Sequence, residues 1–183
     1  LFVGTAAGRI FKITDASTTS FTVNELTGSN VAGYISSIDI GSSDNQILIT
    51  VSNYGSTSVF ETYSGGGSNG WVNVEGDLPD MPVRAGLYNR NNFNQVIIGT
   101  DLGTWTSDDI SSSSPIWLPS NDGLNNVRID MLVNRDSDNA IAAATHGRGI
   151  FYSPNGFTST APLNAAFTPD KTSGVFPLTV LFN

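Results

Sequence analysis

The chain has 183 residues, 13% charged and 39% hydrophobic, with 16 acidic residues against 8 basic ones and a net charge of -8. Such a surface repels a phosphate backbone and gains nothing from an anionic membrane, and no run reaches the roughly 20 apolar residues of a bilayer span, so neither nucleic acid nor membrane insertion is expected. The absence of cysteine excludes disulfides and thiolate chemistry.

The chain opens at Leu1 in mid-pattern, without a methionine or a leader-like segment, and reads as a fragment or a processed segment. No window places apolar residues at helical spacing. Short apolar or alternating runs between Gly, Asn, Asp and Ser clusters define an all-β chain. LFVGTAAGRIFKIT, from Leu1, reads as a hairpin with a glycine-bearing turn. Strands follow at Tyr34–Ile40, Gln46–Ser52, Val59–Tyr63 and Trp71–Val74, then at Val83–Tyr88, Gln95–Thr100, Thr104–Ser107 and Ile116–Leu118. A last set spans Val127–Val133, Ala140–Ala144 and Gly149–Tyr152.

These runs repeat. Setting Gly4, Val51, Gly99 and Ala144 in register gives steps of 47, 48 and 45 residues, and Phe21, Trp71 and Trp117 share one place in the unit. Four short antiparallel strands per unit of that length make the blade of a β-propeller. With the strands of a blade lettered A to D from the inside, residues 1–153 run from strand B of one blade, through two whole blades, to strand C of a last. That is about three blades of content, a partial ring whose remaining blades come from the same or another chain. In a closed ring the outer strand of the last blade would come from the N-terminal part of the chain. Residues 154–161 read as a Pro/Ser/Thr linker, and residues 162–183 begin a different pattern, with strands at Ala165–Thr168 and Leu178–Phe182.

Antiparallel neighbours send the B–C and D–A loops to one face. That face collects Arg9, Asp77, Asp80, Asp101, Asp122, His146 and Arg148, the candidate ligand-binding residues. Two carboxylates about 5–5.5 or 6.5–9.5 Å apart would suit a glycosidase, whereas aspartates in turns also cap loose backbone amides; the second role is favoured, and no catalytic residue is assigned. His146 is the only histidine, so a multi-histidine metal site is excluded. Thr145-His146-Gly147-Arg148-Gly149 has siblings in the other units and reads as a structural turn. Trp71 and Trp117 are expected to fill space beside the outer strand, and Trp105, set beside Ile10 and Ile150, to pack between blades. The Asn/Asp-rich turns have no calcium-loop spacing; no metal and no cofactor are expected.

LFVGTAAGRIFKIT, VIIGTDLGTWTS and AAATHGRGIFYS resemble the hairpins of BNR/Asp-box propellers, a class with sialidases, sortilin-type domains and xyloglucan-cleaving endoglucanases. The Asp boxes are degraded: YSGGGSNGW keeps Ser64 and Trp71 without the aspartate, and SDDISSSSPIW keeps Ser107, Asp109 and Trp117 without the glycine. The tail PLNAAFTPDKTSGVFPLTVLFN resembles the start of an immunoglobulin-like PKD domain through Ala166, Phe167, Thr172, Gly174, Pro177, Leu178, Val180 and Phe182. Together the resemblances imply a large secreted or cell-surface protein of the kind found in Bacteroidota. Compositional richness in Ser, Thr, Asn and Gly fits that location. The expected function is a non-catalytic binding or scaffold module for adhesion, glycan or protein recognition. The alternative is a polysaccharide-active glycoside hydrolase of the Asp-box propeller type, and Arg9 and Arg148 are too few for a sialidase-like arginine cluster.

Overall fold

A computed structural model describes residues 1–154, 156 and 157. The PKD-like segment and all but the first residues of the expected linker lie outside the described residues. Among the described residues there are fourteen strands and no helix. The first sheet holds β1 (Phe2–Gly4), β2 (Ile10–Thr14) and β3 (Thr22–Glu25). The second holds β4 (Ile35–Ile40), β5 (Ile47–Val51), β6 (Val59–Thr62) and β7 (Val72–Asn73). The third holds β8 (Val83–Asn89), β9 (Asn92–Thr100), β10 (Gly103–Ser107) and β11 (Leu118–Pro119). The fourth holds β12 (Ile129–Arg135), β13 (Ala140–Thr145) and β14 (Gly149–Ser153).

Every pairing is antiparallel, and each strand lies beside its neighbour in sequence. The inner strands β4, β8 and β12 pack side by side, and the sheets are not closed into a ring. β1, β2 and β3 form a sheet of their own.

Local sequence explains the layering. β5 is apolar but for Thr50 and has all five residues buried, as a strand covered on both faces must. The outer strands β7 and β11 are two residues long, and β3 and β7 are exposed throughout. β11 starts two residues later than expected, at Leu118. The N–H of Trp117 is taken by the Asp77 carboxylate at 2.7 Å, so it is not available to the ladder.

The register also differs from the sequence reading. Each whole inner strand carries a β-bulge near its start, between Ile35 and Ser37, Val83 and Ala85, and Ile129 and Met131. Counting from these bulges places Thr50, rather than Val51, beside Gly4, Gly99 and Ala144. The same registers set Trp105 with Phe11, Phe60 and Phe151, rather than with Ile10 and Ile150. One aromatic therefore stands at the same place in all four third-layer strands.

The core lies between sheets. Ile10, Ile47, Ile49, Phe60 and Trp71 bury themselves between the first and second sheets. Val59, Val96, Ile98, Val74 and Trp117 do so between the second and third. Ile97, Ile141, Ala143, Leu124 and Phe157 do so between the third and fourth. Side-chain size is matched across these seams. A Cβ on Gly99 would come within 2.7 Å of Ile129 Cγ2, and one on Gly4 would collide with Ile35. In the second sheet the larger Thr50 is accommodated because Gly86 stands opposite.

The outward faces of the two end sheets are apolar and exposed. In the fourth, Met131 and Ile150 flank Ala144, and Val133 and Tyr152 flank Ala142. In the first, Leu1, Phe21 and Val23 are exposed.

Candidate binding site at the loop face

The B–C and D–A loops emerge on one edge of the sheets, as the topology requires, and the inner strands begin there. A bulge inserts one residue and turns its side chain off the regular alternation. The bulged residues are Ser36 in β4, Arg84 in β8 and Asp130 in β12. All three line one cavity of about 390 Å³, together with Tyr34 and Ser52. A repeated irregularity of the backbone thus aims side chains of three neighbouring sheets at the mouth between the inner strands.

Ion pairs order this mouth. Arg84 Nε donates to Asp101 Oδ1 at 2.7 Å, and the Tyr54 hydroxyl lies 3.5 Å from Asp101 Oδ2. Arg128 Nε donates to Asp130 Oδ1 at 2.6 Å, and His146 Nδ1 lies 3.2 Å from Asp130 Oδ2. The Asp130 carboxyl is held below its usual range: its partial burial opposes this, and the bonds from Arg128 and His146 outweigh it. Tyr34 and Tyr54 are exposed and offer flat apolar faces beside these pairs. The arrangement supplies in-plane hydrogen-bonding groups next to aromatic rings, which is the chemistry of binding a polar, ring-containing or extended ligand.

The seven expected residues fall into separate groups. Asp101 and His146 belong to the mouth. Asp77 Oδ1 accepts the Trp117 N–H, and Asp80 Oδ1 accepts the Gly55 N–H at 2.8 Å, so both cap backbone amides as turn aspartates do. Arg9 forms a two-pronged pair with Glu25, with Nε 2.9 Å from Oε1 and Nη2 2.7 Å from Oε2, and lies over the Phe11 ring. Its bonds hold the Glu25 pKa down at about 2. Asp122 lines a different cavity, between the third and fourth sheets. Arg148 is exposed and has no ion pair among the described residues.

The turn around His146 is built on its backbone. The His146 N–H donates to the Arg128 carbonyl at 2.8 Å, and Thr145 Oγ1 donates to the Gly149 carbonyl at 2.8 Å. Thr100 makes the sibling bond to Gly103 at 2.9 Å. Gly147 and Gly149 both take φ of 83°, a conformation that glycine adopts without a Cβ clash.

Tyr34, Ser36, Tyr54, Arg84, Arg128 and Asp130 were not singled out by the sequence. The signal that could have found three of them is the bulge, which shows as a polar residue directly after the β-branched first residue of each inner strand. Among the described residues, no group of three or more His, Cys, Asp or Glu side chains could hold a metal ion. No helix there is long and apolar enough to cross a membrane.

A second acidic pair lies further out. Glu75 and Asp80 line a cavity of about 320 Å³ with Gly55, Ser56 and Thr57. Burial pushes the Glu75 carboxyl up, against bonds from Ser58, and the Asp80 charge adds to the rise.

No family model matches the chain, and no curated protein matches it. Solved structures do. The β-propeller domain of Cps50 (Swd1) from Myceliophteria thermophila is 17% identical, with a TM-score of 0.55, over 79% of this chain and 44% of that one. The WD40 domain of Pan2 from Neurospora crassa is 14% identical, with a TM-score of 0.56, over 87% of this chain and 44% of that one. The GH74 xyloglucanase of Xanthomonas campestris is 15% identical, with a TM-score of 0.57, over 93% of this chain and 30% of that one. The chain therefore spans less than half the length of each. Sheet order, antiparallel pairing and these likenesses show one thing together: the fold is that of a β-propeller segment.

Proposed function

We propose that this segment is a non-catalytic binding module of a secreted or cell-surface protein, engaging a glycan or an extended protein segment at the mouth between its inner strands. The observation that carries the reading is the cavity lined by the three bulged residues Ser36, Arg84 and Asp130, with Tyr34 in its wall and exposed Tyr54 on the same loop face. The carboxylates there are paired with arginines, an arrangement suited to holding a ligand in a fixed orientation. The degraded Asp boxes and the PKD-like tail agree with a modular protein of the BNR/Asp-box type. Its other blades, from the same or another chain, would cover the apolar faces around Val133 and Val23.

The alternative, a glycoside hydrolase, is favoured by one observation only. Glu75 and Asp80 share a cavity, and burial pushes the Glu75 carboxyl up, the direction that a general-acid carboxyl needs. Calorimetric titration of the chain with soluble β-glucans and xyloglucan, alongside a reducing-end assay, separates the two. Binding without product, weakened about tenfold in Tyr54→Ala, supports the module. New reducing ends that vanish in Glu75→Gln would establish the hydrolase.

A further inference from the structure

The hydrogen-bonding groups at the mouth are unevenly used, and the unused ones are mostly donors. Elsewhere in the chain, paired arginines engage their terminal nitrogens. Arg9 and Arg135 each place Nε and Nη2 on a single carboxylate, and Arg90 places Nη1 on the Ile40 carbonyl and Nη2 on Asp39. Arg84 and Arg128 use Nε alone, toward Asp101 and Asp130, and among the described residues their terminal nitrogens hold no bond. Arg84 lines the cavity of about 390 Å³ and its side chain is 27% exposed, so its free fork is within reach of a ligand. The hydroxyls of Tyr34 and Ser52, in the same wall, also have no partner among the described residues. Their backbones are tied down: the Tyr34 N–H donates to Asn53 Oδ1 at 2.6 Å, and the Ser52 N–H donates to the Tyr34 carbonyl at 3.0 Å.

The acidic groups around this fork are already occupied. Asp130 Oδ1 receives Arg128 Nε, and its Oδ2 lies against His146 Nδ1. Asp101 holds Arg84 on one oxygen and the Tyr54 hydroxyl on the other. Ser36 Oγ donates to the Val83 carbonyl at 2.6 Å and meets Thr50 Oγ1 at 2.8 Å. The cavity thus turns an arginine fork and two hydroxyls toward a ligand, with no open carboxylate beside them. A ligand group made only of acceptors satisfies such a wall, whereas one rich in donors would bury some of them unpaired. The two terminal N–H groups of a guanidinium match the two oxygens of a carboxylate, in bonds roughly twice as strong as neutral ones.

We infer that the mouth, given the binding role proposed above on which this rests, selects a glycan that carries a carboxylate: a uronic acid residue seated with its carboxylate on the terminal nitrogens of Arg84 and its ring beside Tyr34. The cavity volume lies toward the small end of the roughly 300–1,000 Å³ of ligand pockets, so it admits one residue of a chain. The exposed rings of Tyr34 and Tyr54 favour a sugar over an acidic peptide. A pyranose offers a flat C–H face to an aromatic surface, and an aspartate or glutamate side chain offers none. The net charge of -8 opposes a long polyanion, and this seat takes a single carboxylate.

The test is calorimetric titration of the full chain with trigalacturonate, its methyl ester and cellotriose. Trigalacturonate should bind at least tenfold more tightly than the ester, which removes the charge without altering the protein. Arg84→Gln should bring both ligands to the affinity of the ester while keeping a cooperative thermal transition. Should that variant fail to fold, the comparison of acid with ester decides alone. Equal affinity for the acid, the ester and cellotriose would overturn the carboxylate assignment and leave the binding role standing, as would a preference for the acid that survives Arg84→Gln. Tighter binding of a triglutamate peptide than of trigalacturonate would overturn the assignment to a sugar. No saturable binding of any of these ligands, nor of xyloglucan, would remove the binding role and this inference together.

Discussion

Trp71 and Leu26 are 45 residues apart, yet the indole Nε1 lies 2.7 Å from the Leu26 carbonyl oxygen and closes the seam between the first two sheets at its outer rim. The ring is 4% exposed, and a Cβ on Gly28 would press against it at 2.6 Å. Burial of the ring supplies most of the stabilisation, and the hydrogen bond selects the ring's orientation. Trp71→Ala should cost about 3–5 kcal/mol. Trp71→Phe, which keeps most of the ring area and leaves the Leu26 carbonyl bonded to Gly67, should cost about 1–2 kcal/mol. Urea unfolding of both variants measures this, and equal losses would contradict the division.

Size matching across the seams predicts a coupled pair. Gly99→Thr should destabilise by about 1–3 kcal/mol through overpacking against Ile129 and Leu132. The second sheet tolerates Thr50 at this place opposite Gly86, so adding Leu132→Ala should recover part of the loss. A double-mutant cycle should show the pair less destabilised than the sum of the singles. Strict additivity would mean that the seam relaxes in some other way.

Glu61 gives a pH dependence with an unusual sign. It is 1% exposed, accepts the Tyr88 hydroxyl at 2.7 Å and Gln46 Nε2 at 3.3 Å, and its Oε2 has no bond of normal geometry. Burial raises its pKa above the ordinary value of 4.5. The folded state therefore holds this proton more tightly than the unfolded chain. The associated stability is fully present below about pH 4.5 and falls as pH rises through the folded-state value. Glu61→Gln should gain thermal stability relative to the parent between pH 4 and pH 7. Asp39, also raised mainly by burial, should leave a weaker slope of the same sign in that variant. Parallel melting curves across this range would refute the assignment.

Glu25 should behave in the opposite way. Its bonds to Arg9 and Thr27 hold its pKa down at about 2, from 4.5. Its contribution is present above pH 4.5 and lost as pH falls toward 2. Both partners are exposed, so salt should screen the pair. An NMR titration should place the Glu25 carboxyl below the ordinary glutamate range at low ionic strength and move it upward in 1 M salt. A value unmoved by salt would show that the short hydrogen bonds, rather than the charge, set the shift.

Much of the fold was legible in the chain because it depends on local pattern. Alternation marked the inner strands, apolar runs marked the second layer, and a recurring hairpin with an aromatic before each outer strand marked the repeat. The order of strands within each sheet followed, since short turns leave antiparallel neighbours no other arrangement. Asp77 and Asp80 cap backbone amides, as aspartates in turns do, but the amides they cap, of Trp117 and Gly55, lie 40 and 25 residues away, which local pattern does not encode.

Tertiary structure alone decided the mouth and the register. Arg84 and Asp130 are 46 residues apart and share a cavity only because β8 packs against β12. Each faces that cavity because of a bulge, whose trace in the chain is one polar residue and whose position the pairing of strands fixes. The strand registers moved the alignment of the second sheet from Val51 to Thr50 and brought Trp105 into line with Phe11, Phe60 and Phe151. The sequence determined which residues form strands and turns, through propensity and alternation. Packing between sheets decided which side chains meet, because those contacts join residues some 45 positions apart whose proximity no local pattern encodes.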